Sequence, residues 1–228
     1  MIDIFDILGP IMIGPSSSHT AGAVRIGRMG YTLLGEDVAR AVIQLHGSFA
    51  QTGRGHGTDK ALLAGLMGMK PDDGRIVDAY AEAEKAGMQY VFETVELADA
   101  HPNTVKLELT GANGKHLSMT ASSVGGGAIL VKELDGIQVQ FDGHAHTLIV
   151  RNDDARGALA EVTQLLSWHG INVGELRLSR RKKGGDALMV IETDQPVEED
   201  ILHMLRALPG IQSVTYYDKR KEETEDEA

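Results

Sequence analysis

Thr147-Leu148-Ile149-Val150, followed by Gly157 and a run in which Leu159, Val162, Leu165 and Leu166 recur up to Gly170, is the stretch that decides the fold. Four consecutive residues rich in branched apolar side chains fit a short buried strand. The spacing after Gly157 is that of an amphipathic helix, and Gly170 ends it. Outward from there, residues 171–178 read as a second strand with Val173, Leu176 and Leu178 apolar, and the basic, glycine-bearing segment 180–185 suits a hairpin turn. Residues 187–193 read as a third strand. Pro196 stands just before a second helix carrying Ile201, Leu202 and Leu205, which ends near Pro209-Gly210, and residues 211–217 make a fourth strand. The order βαββαβ within about 75 residues predicts a small two-layer sandwich over 146–218.

Residues 1–143 read as a separate α+β domain, with the junction at 143–145. The segment 1–8 is expected to form one helical turn. A helix over 19–34 carries Val24, Ile26, Met29 and Leu33, and also Gly22, Gly27 and Gly30. Each helical glycine costs about 1 kcal/mol relative to alanine, so glycine there points to the close approach of another backbone. A strand is expected at 39–46, helices at 58–69 (stopped by Pro71) and 76–86 (ended by Gly87), and strands at 90–97, 105–109, 117–124, 128–134 and 136–141. Asn113-Gly114 is a strong hairpin signal.

The 228 residues are 42% hydrophobic and 24% charged, the balance of a soluble globular protein. No apolar run approaches the ~18 residues a membrane span needs. Met1-Ile2-Asp3-Ile4-Phe5-Asp6 lacks the basic start of a secretory signal, which points to the cytoplasm. A net charge of −11 repels phosphate, so neither nucleic acid nor an anionic membrane is an expected partner. Residues 219–228 are read as a disordered acidic tail. There is no cysteine, which excludes disulfides, a thiol nucleophile and any thiolate metal site made by this chain alone.

Two segments could carry chemistry. Gly14-Pro15-Ser16-Ser17-Ser18-His19-Thr20 sets four hydroxyls and an imidazole between a rigid turn and a helix start. One serine is needed as N-cap, and the rest can meet a carboxylate or phosphate at the positive helix end. Gly53-Arg54-Gly55-His56-Gly57-Thr58-Asp59 reads as a tight loop that exposes His56, with Thr58 capping the next helix and Asp59 at its positive end. That end disfavours imidazolium, leaving a neutral ring able to act as a general base. The His56/Asp59 spacing fits no metal-ligand pattern, and no metal site is expected in this chain. A serine-rich turn and a glycine-rich loop with surface histidines explain the same residues. His101-Pro102-Asn103-Thr104 reads as a turn before a strand, and Ser122-Ser123-Val124-Gly125-Gly126-Gly127 as a bulge or bend.

The strand-to-helix turn at Asp154-Ala155-Arg156-Gly157 and the segment Gly170-Ile171-Asn172-Val173 resemble an ACT domain. The family's turn is Asn-x-Pro-Gly. Gly157 matches it, while Asp154 and Arg156 depart. The resemblance implies self-association through this domain and a regulatory ligand near Asp154, Gly157 and Asn172, or else a domain that only pairs or docks. Nearly end to end, the two N-terminal motifs, His-Pro-Asn, the triple glycine and the ACT-type end together resemble iron–sulfur L-serine dehydratases. That family deaminates L-serine to pyruvate and ammonia, as in amino-acid catabolism and gluconeogenesis, with a [4Fe–4S] cluster acting as Lewis acid. Lacking cysteine, this chain resembles the β subunit, which implies a cysteine-containing α subunit that holds the cluster and a chain that is not active alone. By position His56 resembles the family's base for the α-proton, with His19 as the second catalytic candidate. Ser16, Ser17, Ser18, Thr20, Thr58 and Asp59 resemble substrate-facing residues. The N-terminal domain also resembles the allosteric substrate-binding domain of some phosphoglycerate dehydrogenases. A non-catalytic serine-sensing subunit and a free-standing amino-acid sensor are the competing readings.

Overall fold

The structure, a computed structural model, describes residues 12–221. The expected turn at 1–8 and the acidic run at 222–228 lie outside the described residues. The chain divides into two compact units, one ending at Asp135 and one beginning at Gly136.

In the first unit a π-helical turn, Ser17–Ala21, runs into α1 (Gly22–Leu34). Next come β1 (Val38–Leu45), α2 (Gly47–His56), α3 (Thr58–Leu66), a 3₁₀ turn (Gly74–Asp78), α4 (Ala79–Lys85), β2 (Gln89–Thr94), β3 (Thr104–Gly111), β4 (His116–Gly125) and β5 (Ala128–Leu134). These strands lie in the order β2-β1-β3-β4-β5, with β1 and β2 parallel and the other neighbours antiparallel. Side chains alternate between the faces. Ala41 and Ile43 align with Leu109 and Leu107, and those with Leu117 and Met119, making an apolar row against which buried Ile26, Met29 and Leu33 of α1 close the core. On the other face Arg40, Thr110 and His116 are aligned, as are Gln44, Lys106 and Thr120.

The glycine argument for α1 holds. A Cβ built on Gly27 would stand 2.5 Å from the Leu62 carbonyl oxygen and 2.9 Å from Gly65 Cα, and one built on Gly65 would overlap the Val24 carbonyl oxygen. Helices α1 and α3 therefore cross backbone to backbone. Gly22 likewise leaves room for the Ser123 side chain. The β3–β4 turn uses Gly114 at φ 83°, and the Glu36 carboxylate accepts from Asn113 Nδ2 and from the Asn113 and Lys115 backbone N–H groups. At Gly125-Gly126-Gly127 the φ values are 111°, 60° and 84°, the β4–β5 register shifts between Ser123 and Gly125, and Arg25 Nη1 donates to the Gly127 carbonyl at 2.9 Å.

Two elements differ from the sequence expectation. The helix expected at 76–86 is a 3₁₀ turn followed by the shorter α4. The loop expected around 53–57 is the last turn of α2, and only Gly57 leaves it, at φ 73°. Tertiary contacts outweigh the low helix propensity of Gly47, Gly53 and Gly55. Phe49 is fully buried, and the Pro102 carbonyl accepts the Ser48 and Phe49 N–H groups at 2.8 and 3.4 Å.

The second unit holds β6 (Ile137–Phe141), β7 (His146–Asp153), α5 (Ala158–Trp168), β8 (Val173–Arg180), β9 (Asp186–Thr193), α6 (Glu199–Arg206) and β10 (Ile211–Tyr217). The last four strands form an antiparallel sheet ordered β10-β7-β9-β8, which is the expected βαββαβ sandwich. Leu148, Val150, Met189 and Ile191 meet Val162, Leu166, Leu202 and Leu205 in its core. Gly157 starts α5 at φ 94°. Lys219–Lys221 form a single 3₁₀ turn.

Candidate functional site

Four polypeptide segments converge at one end of the first unit. Gly14 stands at φ 142°, and a Cβ there would meet Thr20 Cγ2 at 2.5 Å, so the chain before the π turn lies directly on Thr20. Ser16 is the N-cap of that turn, its Oγ accepting the His19 N–H at 3.2 Å. The Thr20 hydroxyl donates to the His56 carbonyl at 3.3 Å, which satisfies one of the free carbonyls at the end of α2. The Ser48 N-terminal turn of α2 is seated on the Pro102 carbonyl, and the Asn103 carbonyl accepts the Ser123 N–H at 2.9 Å.

The centre of this arrangement is a histidine pair. The His19 and His56 rings lie 4.9 Å apart and tilted by 44°, and His19 meets the buried Phe49 edge-on at 5.3 Å. His19 Nε2 lies 3.1 Å from Ser48 Oγ and 3.2 Å from Thr52 Oγ1, and its Nδ1 lies 3.5 Å from Ser16 Oγ. His56 Nδ1 lies 3.1 Å from the Thr52 carbonyl oxygen. Burial holds the His19 pKa below the ordinary imidazole value, and the neighbouring His56 ring lowers it further against an opposing contact with the Ser48 backbone. The unfolded chain then binds more protons than the folded one just below pH 6.5, so His19 contributes stability at neutral pH that is lost as pH falls. In an NMR titration the His19 Cε1–H signal is expected to move with a midpoint below 6.5; a midpoint above it would mean that the pair stabilises a charged ring.

The sequence expectations fare unevenly. His56 is brought to His19, and it is exposed. It is the last residue of α2, an end that carries free carbonyls and favours positive charge, and it also stands one residue before α3, whose start favours the opposite. The two helix ends oppose one another at this ring, so neither alone sets its charge. Thr58 is not an N-cap: Gly57 holds that position, Thr58 is fully buried and its Oγ1 finds no partner among the described residues. It lies beneath the site. Asp59 is turned to the scaffold, where Oδ1 accepts the Lys60 N–H at 2.9 Å and Oδ2 accepts the Tyr80 hydroxyl at 2.5 Å. Burial, then that hydrogen bond, pushes the Tyr80 phenol well up. Ser17 and Ser18 are half-buried, and neither hydroxyl is hydrogen-bonded among the described residues. Sequence reasoning missed Ser48 and Thr52, which with His56 recur every fourth residue along one face of α2. Among the described residues no three His, Cys, Asp or Glu side chains gather as metal ligands.

In the second unit Asp154 Oδ2 accepts from Arg180 Nη1 at 2.5 Å and from the Gly184 N–H at 2.8 Å, and that amide, ahead of the guanidinium, holds its carboxyl below the ordinary value. The Asn172 amide donates to Asp194 Oδ2 at 2.5 Å, and its backbone N–H to Gln195 Oε1 at 2.7 Å. The expected ligand residues Asp154 and Asn172 thus brace the hairpin and the β9–α6 turn.

Comparisons with known proteins agree with this architecture. Residues 1–92 match the family model "Serine dehydratase beta chain" and residues 146–210 match "ACT domain". The chain is 42% identical to the probable L-serine dehydratase, beta chain, of Bacillus subtilis, over 93% of this chain and 96% of that one. It is 38% identical to the L-serine dehydratase, beta chain, of Peptoniphilus asaccharolyticus, over 86% of this chain and 89% of that one. A D-3-phosphoglycerate dehydrogenase of Bacillus subtilis is 25% identical over 86% of this chain and 37% of its own length. No helix among the described residues is long and apolar enough to cross a membrane. An α+β unit with a histidine pair at a serine-rich turn, an ACT domain after it and close identity over nearly whole chains place this protein in the family of L-serine dehydratase β chains.

Proposed function

We propose that this chain works in the cytoplasm as one half of a two-subunit enzyme that deaminates L-serine to pyruvate and ammonia, and that His56 takes the α-proton. The observation that carries this is the histidine pair itself. His19 has both ring nitrogens within reach of hydroxyl oxygens, at 3.1–3.5 Å. His56 has one ring nitrogen on a carbonyl oxygen, and that nitrogen must bear the proton because a carbonyl only accepts. When that ring is neutral, its other nitrogen keeps the lone pair that a general base requires. The uncommitted hydroxyls of Ser17 and Ser18 supply hydrogen bonds for the substrate carboxylate.

The residues of this chain do not fit a [4Fe–4S] cluster. It has no cysteine, and iron–sulfur clusters are held by thiolates. The cluster is assigned to a cysteine-containing α subunit. The ACT domain is assigned self-association, and Gly157, at the turn before α5, stays as the remaining candidate for contact with a regulatory ligand.

Anaerobic co-expression with the cysteine-rich partner, followed by a serine-to-pyruvate assay, tests the proposal. The complex is expected to turn over serine, and the lone chain to show neither activity nor iron–sulfur absorbance. Turnover by the lone chain would overturn the two-subunit reading. A second reading, a non-catalytic serine-sensing subunit, is favoured by one observation: 86% of this chain aligns with 37% of a phosphoglycerate dehydrogenase whose name gives it a different reaction. That reading predicts that histidine substitutions abolish activation by serine and leave kcat intact.

A further inference from the structure

Thr52 touches both histidines, with different atoms. Its hydroxyl donates to the Ser48 carbonyl at 2.9 Å, the usual back-bond of a helical threonine. Its one proton is thereby used, so toward His19 Nε2, at 3.2 Å, Thr52 Oγ1 can only accept. Nε2 must then carry the hydrogen. Ser48 Oγ, 3.1 Å from the same nitrogen and 3.3 Å from Thr52 Oγ1, fits this assignment as a second acceptor that passes its own proton to Thr52. On the other side of the ring Ser16 Oγ already accepts the His19 backbone N–H, which leaves its hydroxyl proton for the lone pair on His19 Nδ1. The carbonyl of Thr52, meanwhile, faces His56 Nδ1 at 3.1 Å and fixes the hydrogen there.

We infer that Thr52 is a positioning residue that sets opposite tautomers on the two imidazoles: Nε2–H on His19 through its hydroxyl, and Nδ1–H on His56 through its carbonyl. The consequence is a division of labour. His19 Nδ1 is spent on orienting Ser16 and the serine-rich turn that it caps. Among the described residues, His56 Nε2 is the one ring nitrogen of the pair left open to a substrate proton. The catalytic part of this inference rests on the dehydratase reading, while the tautomers themselves do not. The geometry also assigns the Thr52 hydroxyl to substrate seating, because its effect reaches the serine turn through His19, while His56, the ring that takes the proton, is held by the Thr52 carbonyl, which a side-chain substitution does not remove.

Thr52→Val keeps the branched shape and deletes the hydroxyl; Thr52→Ser keeps the hydroxyl. In the full-length chain, ¹⁵N chemical shifts of the imidazole nitrogens near pH 7.5 are expected to show Nε2–H on His19 and Nδ1–H on His56. In Thr52→Val the His19 pattern should move to a mixture while His56 stays as it is, and Thr52→Ser should restore the wild-type pattern. In the reconstituted complex Thr52→Val should raise the KM for serine by about 10- to 100-fold, the range by which losing the partner that orients a metal-bound imidazole lowers affinity or activity, with kcat changed less than about threefold. Nδ1–H on His19, Nε2–H on His56, or nitrogen shifts and KM unmoved in Thr52→Val would each overturn the inference. A wild-type complex inactive on serine would sink the dehydratase reading alone, and the nitrogen shifts would still decide this one.

Discussion

Replacing His56 with alanine in the reconstituted complex is expected to lower kcat for serine by about 10²–10⁴-fold, the contribution of a positioned general base. Cluster content and subunit association should stay at wild-type levels, because the ring is exposed at the end of α2 and its hydrogen bond among the described residues returns to its own helix, to the Thr52 carbonyl. The comparison that exposes the assignment is His19→Ala. Half-buried between Ser16, Ser48, Thr52 and Phe49, His19 holds the serine turn, so its loss should fall mainly on KM. Near-full kcat in His56→Ala together with inactivity in His19→Ala would transfer the base to His19. Unchanged turnover in both, with loss of serine activation, would make the pair allosteric.

Gly65→Ala is expected to destabilise the chain by roughly 3 kcal/mol, at the upper end of the overpacking range. The added methyl would overlap the Val24 carbonyl oxygen and stand 2.8 Å from the Arg28 nitrogen, both main-chain atoms of α1 that no rotamer change can move. Gly55→Ala supplies the contrast. Gly55 is helical, and a Cβ there meets nothing within 4 Å. That variant should gain about 0.5–1 kcal/mol from helix propensity and a less flexible unfolded chain. Urea unfolding of the two variants decides the matter, and equal midpoints would refute the backbone-to-backbone crossing.

The parts of this fold legible in the sequence are those where side-chain periodicity reports burial directly. In the ACT unit Leu148, Val150, Val162, Leu166, Met189 and Ile191 are at once the pattern-defining residues and the core. Gly27 was legible for the opposite reason, since a glycine that weakens a helix needs a contact to justify it. Helix α2 was illegible because its stability is not local: Gly47, Gly53 and Gly55 argue for a loop, and only the buried Phe49 and the Pro102 carbonyl, more than fifty residues away in sequence, reverse the argument. The same error hid half the site. With the segment around 53–57 read as a loop and 47–52 in no element, the four-residue spacing of Ser48, Thr52 and His56 has no meaning, and Gly57 fills the capping role expected of Thr58. The pairing of Asp59 with Tyr80, 21 residues on, had no signal in the sequence at all.

Helix α2 is clamped at both ends, by the Pro102 carbonyl at its first turn and by the Thr20 hydroxyl on its last carbonyl, with Gly57 as a one-residue joint to α3. A ten-residue rod held this way has few soft modes. The gap between the two imidazoles is then set by main-chain geometry, and thermal motion modulates it little. The ordering entropy that a floppy loop would surrender when substrate arrives has already been surrendered during folding. On the proposed reading, a ligand that needs the rings much further apart than 4.9 Å must distort a helix.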